Sequence, residues 1–192
     1  MREMLQMVDT PARLMVRVAG GDARAFTALV SQLHGSMLRI ATRVLGDRTE
    51  AEDALQAALT RLWTEAARFD PARGSVEGWF RRILVNQCLD RRRRFRIVAP
   101  MEAAATVPSD LPDPFEASVA NARARRVDAA MARLNPRQRA AITLFHGEGA
   151  SMAEIAATLD TTPKAVEGLL ARSRIELSRL LASDRPGNRN EE

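Results

Sequence analysis

Apolar residues recur at steps of three and four along most of this chain, and the stripes they form predict helices. From 22 to 45, Phe26, Leu29, Val30, Leu33, Met37, Ile40, Ala41 and Val44 share one face of a long helix. Asp22 is placed to cap its start and Gly46 to stop it. Gly20-Gly21 separates it from a shorter helix over Pro11–Ala19. Thr49 is expected to cap the next helix, with Glu50, Glu52 and Asp53 in a first turn where the helix dipole favours anions. Ala51, Ala54, Leu55, Ala58, Leu62 and Ala66 carry its stripe to about Arg68. FDPARGS at 69–75 has the Asp-Pro and Gly-Ser pairs of a loop. A third helix over 76–94 sets Val76, Trp79, Phe80, Ile83, Leu84 and Gln87 inward, and Arg82, Asn86, Asp90 and Arg93 outward.

The pattern breaks after RRRRFR. From Ile97 to Ala122 there is no Lys or Arg, and Pro100, Pro108, Pro112 and Pro114 interrupt any helix. Glu102, Asp110, Asp113 and Glu116 make the stretch acidic. Residues 97–114 read as a flexible acidic, Pro-rich linker, which fully extended would span roughly 60 Å. This divides the chain into an N-terminal helical domain at 1–96, a C-terminal domain at 115–182 and a disordered tail at 183–192.

Helical spacing resumes from Phe115 to Leu134, and Asn135-Pro136 then opens a helix running to His146. Beyond it, Ser151-Met152-Ala153-Glu154 has the form of a capping box. A short helix to Leu159 follows. Asp160 suits a left-handed turn residue, and Thr162-Pro163 caps and starts another helix. Two helices joined by about three residues form a helix-turn-helix, whose second helix can enter a major groove. Ile155, Ala156, Leu159, Val166, Leu170, Ser173 and Leu177 make the inner stripe; Lys164, Glu167, Arg172 and Arg174 face outward. On these residues alone a buried αα-hairpin remains the alternative.

Composition narrows the choices. Aromatics are 4% and tyrosine is absent, so the core must be Leu, Ile, Val, Met and Ala, which agrees with an all-α fold. Net charge is +5, and Lys164 is the only lysine, so nearly all positive charge is arginine, suited to phosphates and base edges. Cys88 is the sole cysteine, which rules out an intrachain disulfide and a CxxC zinc site. With two histidines, His34 and His146, and no HExxH, P-loop or GxSxG, no catalytic or metal residue, cofactor or small-molecule substrate is assigned. No leader or apolar membrane run is seen, so no membrane insertion is expected and the chain is placed in the cytoplasm.

Three segments in order resemble the bacterial RNA polymerase sigma factors of the extracytoplasmic-function (ECF) type. AEDALQAALTRLW at 51–63 is similar to that family's polymerase-binding segment, and FDPARGSVEGWFRRILVNQCLDRRRR at 69–94 to its minus-ten reading and melting segment. LNPRQRAAITLFHGEGASMAEIAATLDTTPKAVEGLLARSRIEL at 134–177 is similar to its minus-thirty-five reading segment. The resemblance implies two small helical domains that bind core RNA polymerase and promoter DNA, under control of an anti-sigma protein. It implies polymerase contacts at Asp53, Gln56 and Arg61. It implies a base pocket near Asp70, Arg73 and Ser75, with Arg81, Arg82, Asn86, Arg91, Arg92, Arg93 and Arg94 tracking the strand. It implies minus-thirty-five contacts at Thr162, Lys164, Ala165, Glu167, Gly168, Arg172 and Arg174. The chain departs from the family at Ala57, where an acid is usual, at Asp160, a turn glycine, and at Leu169, often arginine. Gly168 inside the helix costs about 1 kcal/mol relative to alanine. The rival reading, a helix-turn-helix regulator acting without polymerase, leaves 50–94 without a task.

Overall fold

The computed structural model describes residues 9–98 and 117–183, with side chains described for 9–94 and 124–183. All regular structure among them is helical. The order is α1 (Pro11–Ala19), α2 (Ala23–Leu45), α3 (Arg48–Glu65), a 3-10 turn (Ala66–Arg68), a second (Pro71–Arg73) and α4 (Val76–Val98). Then come α5 (Ala117–Arg133), α6 (Pro136–Ile142), a π turn (Thr143–Gly147), α7 (Met152–Thr158) and α8 (Pro163–Ser183). The linker at 97–114, save Ile97 and Val98, and the tail beyond Ser183 lie outside the described residues.

Helices α1 to α4 form one bundle, with α2 against α1, α3 and α4. Asp22 caps α2 by accepting from the N–H groups of Arg24 and Ala25, and Gly46 ends it at φ 76°, where a side chain would be strained. The start of α3 differs from expectation: Asp47, not Thr49, is the cap, accepting from Glu50 N–H at 2.8 Å. Asp47 lies two residues nearer the end of α2, so the connection is as short as Gly46-Asp47. On α2, Ala25, Leu29, Leu33, Met37, Ile40, Ala41 and Val44 are buried, while Phe26 and Val30 sit at the stripe's edge. On α4, Val76, Phe80, Ile83 and Leu84 are buried as expected, joined by Val85 and Cys88.

Helices α5 to α8 form the second unit, with α8 packed against α5, α6 and α7. Asn135 and Gln138 make a capping box at α6, and Pro136 takes its first position. The helix expected to reach His146 instead ends at Ile142 and widens into the π turn. The two units touch: α4 packs on α6 and α7, and α2 on α6 and the π turn, so their buried residues form one continuous cluster. No helix among the described residues is long and apolar enough to cross a membrane.

Candidate nucleic-acid interface

The loop before α4 is shaped by its own polar side chains. Asp70 accepts from Ala72 N–H at 2.9 Å and starts the short 3-10 turn, and Ser75 Oγ accepts from Gly78 N–H at 3.1 Å in the first turn of α4. Between them Gly74 takes φ 142°, open to glycine alone. Phe69 and Trp79 pack with ring centroids 5.7 Å apart, fastening the loop to the helix. Asp70, Arg73 and Ser75 are all exposed. A polar loop beside a cationic helix can hold an unstacked base and its phosphates.

The seven residues read on α4 divide into two groups. Arg82, Arg93 and Arg94 are exposed, and Asn86 lies half-buried one turn from Arg82. The other three are engaged within the protein. Arg91 donates to Glu50 at 2.7 Å and to Asp53 at 2.9 Å, and the bond to Glu50 above all holds its guanidinium above the usual range. Arg81 lies 3.8 Å from Glu154 on α7, and Arg92 is half-buried with its Nε unpartnered among the described residues. Cys88, on the same helix, is fully buried, and burial pushes its thiol up to about 12.

On α3 the buried Ala51, Ala54, Leu55, Ala58 and Leu62 leave Asp53, Gln56 and Ala57 on the open side. Asp53 is tied to Arg91, so the acidic face of α3 and the basic helix α4 are braced together. Gln56 edges a groove of about 640 Å³ between α2 and α3, floored by Leu38, Leu55 and Leu59 and walled by Phe26 and Trp63. Those two rings meet edge to face at 5.1 Å, and Trp63 is 37% exposed, neither core nor free surface. Arg61 stands outside this group, paired with Glu65 at 2.7 Å.

The helix-turn-helix forms as its caps dictate. Ser151 Oγ accepts from Glu154 N–H at 3.2 Å, and Ser151 N–H donates to the Glu154 carboxylate at 2.8 Å. That backbone bond draws the Glu154 carboxyl below its ordinary range. Asp160 makes the turn at φ 50°, and Thr162 Oγ1 accepts from Ala165 N–H at 3.2 Å to begin α8. Ile155, Ala156, Leu159, Val166, Leu170 and Ser173 are buried, so α8 offers the opposite side to solvent. There Thr162, Lys164, Ala165, Glu167 and Arg172 are exposed. Lys164 pairs with Glu167 at 3.0 Å, and Arg172 lies over Gly168. Arg174 sits 5.2 Å above the Phe145 ring, an attraction between cation and ring that the other exposed α8 residues do not share.

Two residues escaped the sequence reading. Ile175 is 70% exposed on α8, an apolar side chain off the buried stripe, and its place between Arg174 and Glu176 was legible from spacing. Arg139 is 1% exposed and donates to the carbonyls of Ala132 in its own unit and Val44 in the other, and nothing local marks the second contact.

Comparison with known proteins agrees with this geometry. Residues 29–96 match the family description "Sigma-70 region 2", and residues 124–177 match "Sigma-70, region 4". The chain is 33% identical to the RNA polymerase sigma factor CnrH of Cupriavidus metallidurans, covering 92% of this chain and 96% of that protein. It is 34% identical to the ECF RNA polymerase sigma factor SigM of Mycobacterium tuberculosis, covering 88% and 84%. Among solved structures, CnrH in complex with the cytosolic domain of CnrY superposes with TM-score 0.65 at 31% identity, over 89% of this chain and 96% of that one. The sigma factor RpoE of Bartonella quintana, solved with the anti-sigma factor NepR, shares the fold at TM-score 0.65 and 22% identity, over 85% and 100%. A basic helix behind a capped loop, an acidic helix braced to it, and a helix-turn-helix downstream thus occur in the order and over the length of these relatives, and the chain belongs to the extracytoplasmic-function family of RNA polymerase sigma factors.

Proposed function

We propose that this chain docks on core RNA polymerase through the open side of α3, holds the melted minus-ten strand with α4 and the loop before it, and grips minus-thirty-five duplex with α8. The observation that carries the reading is the coupling of α3 to α4: Arg91 joins Asp53, the expected polymerase contact, to the helix that carries Arg82, Arg93 and Arg94. Docking and strand binding therefore share one rigid bundle. Among the cationic residues, Arg82, Arg93 and Arg94 are placed to meet phosphates directly, while Arg91 positions the helix. On α8, Lys164 and Ala165 stand at the N-terminal end, where such helices meet base edges. Ala165 suits contact with a thymine methyl, and Arg172 suits a phosphate or a guanine edge. No bond is made or broken by the chain; its work is binding, and strand separation, a few kcal/mol per extruded base, is offset by contacts to the displaced strand. The relatives solved with CnrY and NepR support control of this chain by an anti-sigma protein.

The test is assembly. Labelled chain titrated with core polymerase should form a stable complex, and Gln56→Ala with Asp53→Ala should weaken it at least about tenfold, or about 1.4 kcal/mol. A chain that binds promoter fragments tightly and ignores core polymerase would instead be a free-standing regulator.

A further inference from the structure

We propose that the groove between α8 and the corner where α5 meets α6 seats one sugar–phosphate strand of duplex DNA, flanking the bases that α8 reads, with Arg133 as a phosphate contact and Ile175 as the surface on which a deoxyribose rests. The proposal deepens the reading that α8 grips minus-thirty-five duplex, and rests on it.

The groove encloses about 470 Å³ and is lined by Arg133, Asn135, Gln138, Arg172, Ile175 and Glu176. Helix geometry fixes where it falls. Lys164, Gly168, Arg172 and Ile175 recur at steps of four, four and three, so they share one side of α8. At about 1.5 Å per residue, Ile175 stands roughly 16 Å beyond Lys164 along the axis. A major groove is about 12 Å wide. With Lys164 at the base edges, Ile175 reaches past the groove to the strand at its border.

The polar groups that line the site are mostly donors. Asn135 Oδ1 accepts from Gln138 N–H at 2.9 Å, and Gln138 Oε1 accepts from Asn135 N–H at 3.0 Å. The capping box thus engages both amide oxygens, and what each side chain has left to offer is chiefly its NH2 group. Arg133, the last residue of α5, is exposed. Arg172 is exposed on α8 and stands outside that helix's ion pairs, Lys164–Glu167 and Glu176–Arg179. The acid in the lining is already engaged: Arg179 donates to Glu176 at 2.8 and 3.3 Å. That bond above all, with the charge of Arg133 adding to it, holds the Glu176 carboxyl below its ordinary range. Ile175, 70% exposed, sets an apolar patch among these groups. A nucleic-acid strand alternates phosphate acceptors with apolar sugar faces, and this surface is its complement. A protein helix docked on Ile175 would instead cover two guanidinium groups and bring no anion of its own by apolar burial alone.

The experiment uses the full chain assembled with core polymerase and a pool of promoter duplexes randomised upstream. Selection and sequencing give the preferred element; titration of selected duplexes over a range of salt gives affinity and its salt slope. Both groove replacements fall on exposed side chains. Arg133→Gln should keep the preferred sequence, weaken every duplex about threefold to tenfold and make the slope shallower by about one. Ile175→Lys should tighten binding and steepen the slope by about one, because the added ammonium meets phosphate. Lys164→Ala should change the preferred sequence. Weaker core assembly or weaker duplex binding in Ile175→Lys would mean that the apolar patch receives a protein helix, and overturns the seat. Affinity and slope in Arg133→Gln equal to those of the parent chain also overturn it, while the α8 reading stands as long as Lys164→Ala moves the preference. A preference that Lys164→Ala leaves unmoved overturns the α8 reading, and with it the register that places the seat. A parent chain that selects no duplex overturns both.

Discussion

Arg91 separates a strut from a DNA contact, and its replacement is the sharpest mutational test of the N-terminal bundle. Its guanidinium makes two charge-assisted bonds, to Glu50 at 2.7 Å and Asp53 at 2.9 Å, linking α4 to α3 across 41 and 38 residues. The side chains of Arg91 and Glu50 are 28% and 30% exposed, but Asp53 is 60% exposed. Solvent screening therefore leaves the Asp53 pair with a few tenths of a kcal/mol, while the more sheltered Glu50 pair contributes more, for a total of about 1–2 kcal/mol. In a bundle of this size each kcal/mol shifts Tm by about 4–8 °C, so Arg91→Ala should lower it by roughly 5–10 °C. Arg93→Ala should lower it by no more than about 2 °C, because Arg93 is 74% exposed and, among the described residues, pairs with Asp90 one turn away. The assay is thermal unfolding of both variants followed by circular dichroism, with a double-mutant cycle against Glu50→Gln that should return a coupling of about 1 kcal/mol. In strand binding, Arg93→Ala should weaken affinity with a shallower salt slope. If Arg91→Ala melts with the parent chain and loses strand affinity as Arg93→Ala does, Arg91 is a strand contact and the bracing argument is wrong.

Cys88, pushed up to about 12 from an ordinary 9.0, should have about a thousandfold less thiolate than a free thiol near pH 8. Iodoacetamide should therefore label it only after denaturant is added; fast labelling of the native chain would contradict its burial. Glu154 is held below its ordinary 4.5 by the Ser151 N–H, so its contribution to stability is full above that value and fades as pH falls through its lowered folded-state value. Glu154→Gln should flatten that acid limb in chemical denaturation, and Ser151→Ala should cost about 1 kcal/mol at neutral pH. Gly168→Ala should stabilise α8 by up to about 1 kcal/mol, since the new methyl would meet only Arg172 nitrogens at 3.8 and 3.9 Å; a loss of stability in urea unfolding would show an unseen packing demand at that position.

What the sequence disclosed is local, and what it hid is distant. Asp22, Gly46, Asn135, Ser151, Asp160 and Thr162 each act within four residues, and each was readable because a cap or turn needs only its own neighbours. Thr49 was misread because Asp47 and Thr49 both suit a cap, and only the tight α2–α3 connection selects the first. The π turn at Thr143–Gly147 has no periodic signature distinct from an α-helix over so short a span. Of the α4 residues, spacing foresaw the exposed Arg82 and Arg93 but could not tell that Arg81 and Arg91 were occupied, since Glu154 and Glu50 lie 73 and 41 positions away. Arg139 is the extreme case: a basic residue in a polar-looking stretch, buried where it bonds both its own unit and the carbonyl of Val44, 95 positions away. A pattern of one chain segment carries its own face, not the face that meets it.

The most direct measurement is run-off transcription with purified core polymerase, this chain and a genomic promoter library. Sequencing of the transcripts should show a small set of start sites that appear only when the chain is present. Those starts should share upstream elements at two separated positions, one read by α8 and one by the α4 region. Arg82→Ala with Arg94→Ala should reduce open-complex formation at those starts, while core assembly persists. Transcripts that are the same with and without the chain would contradict the account.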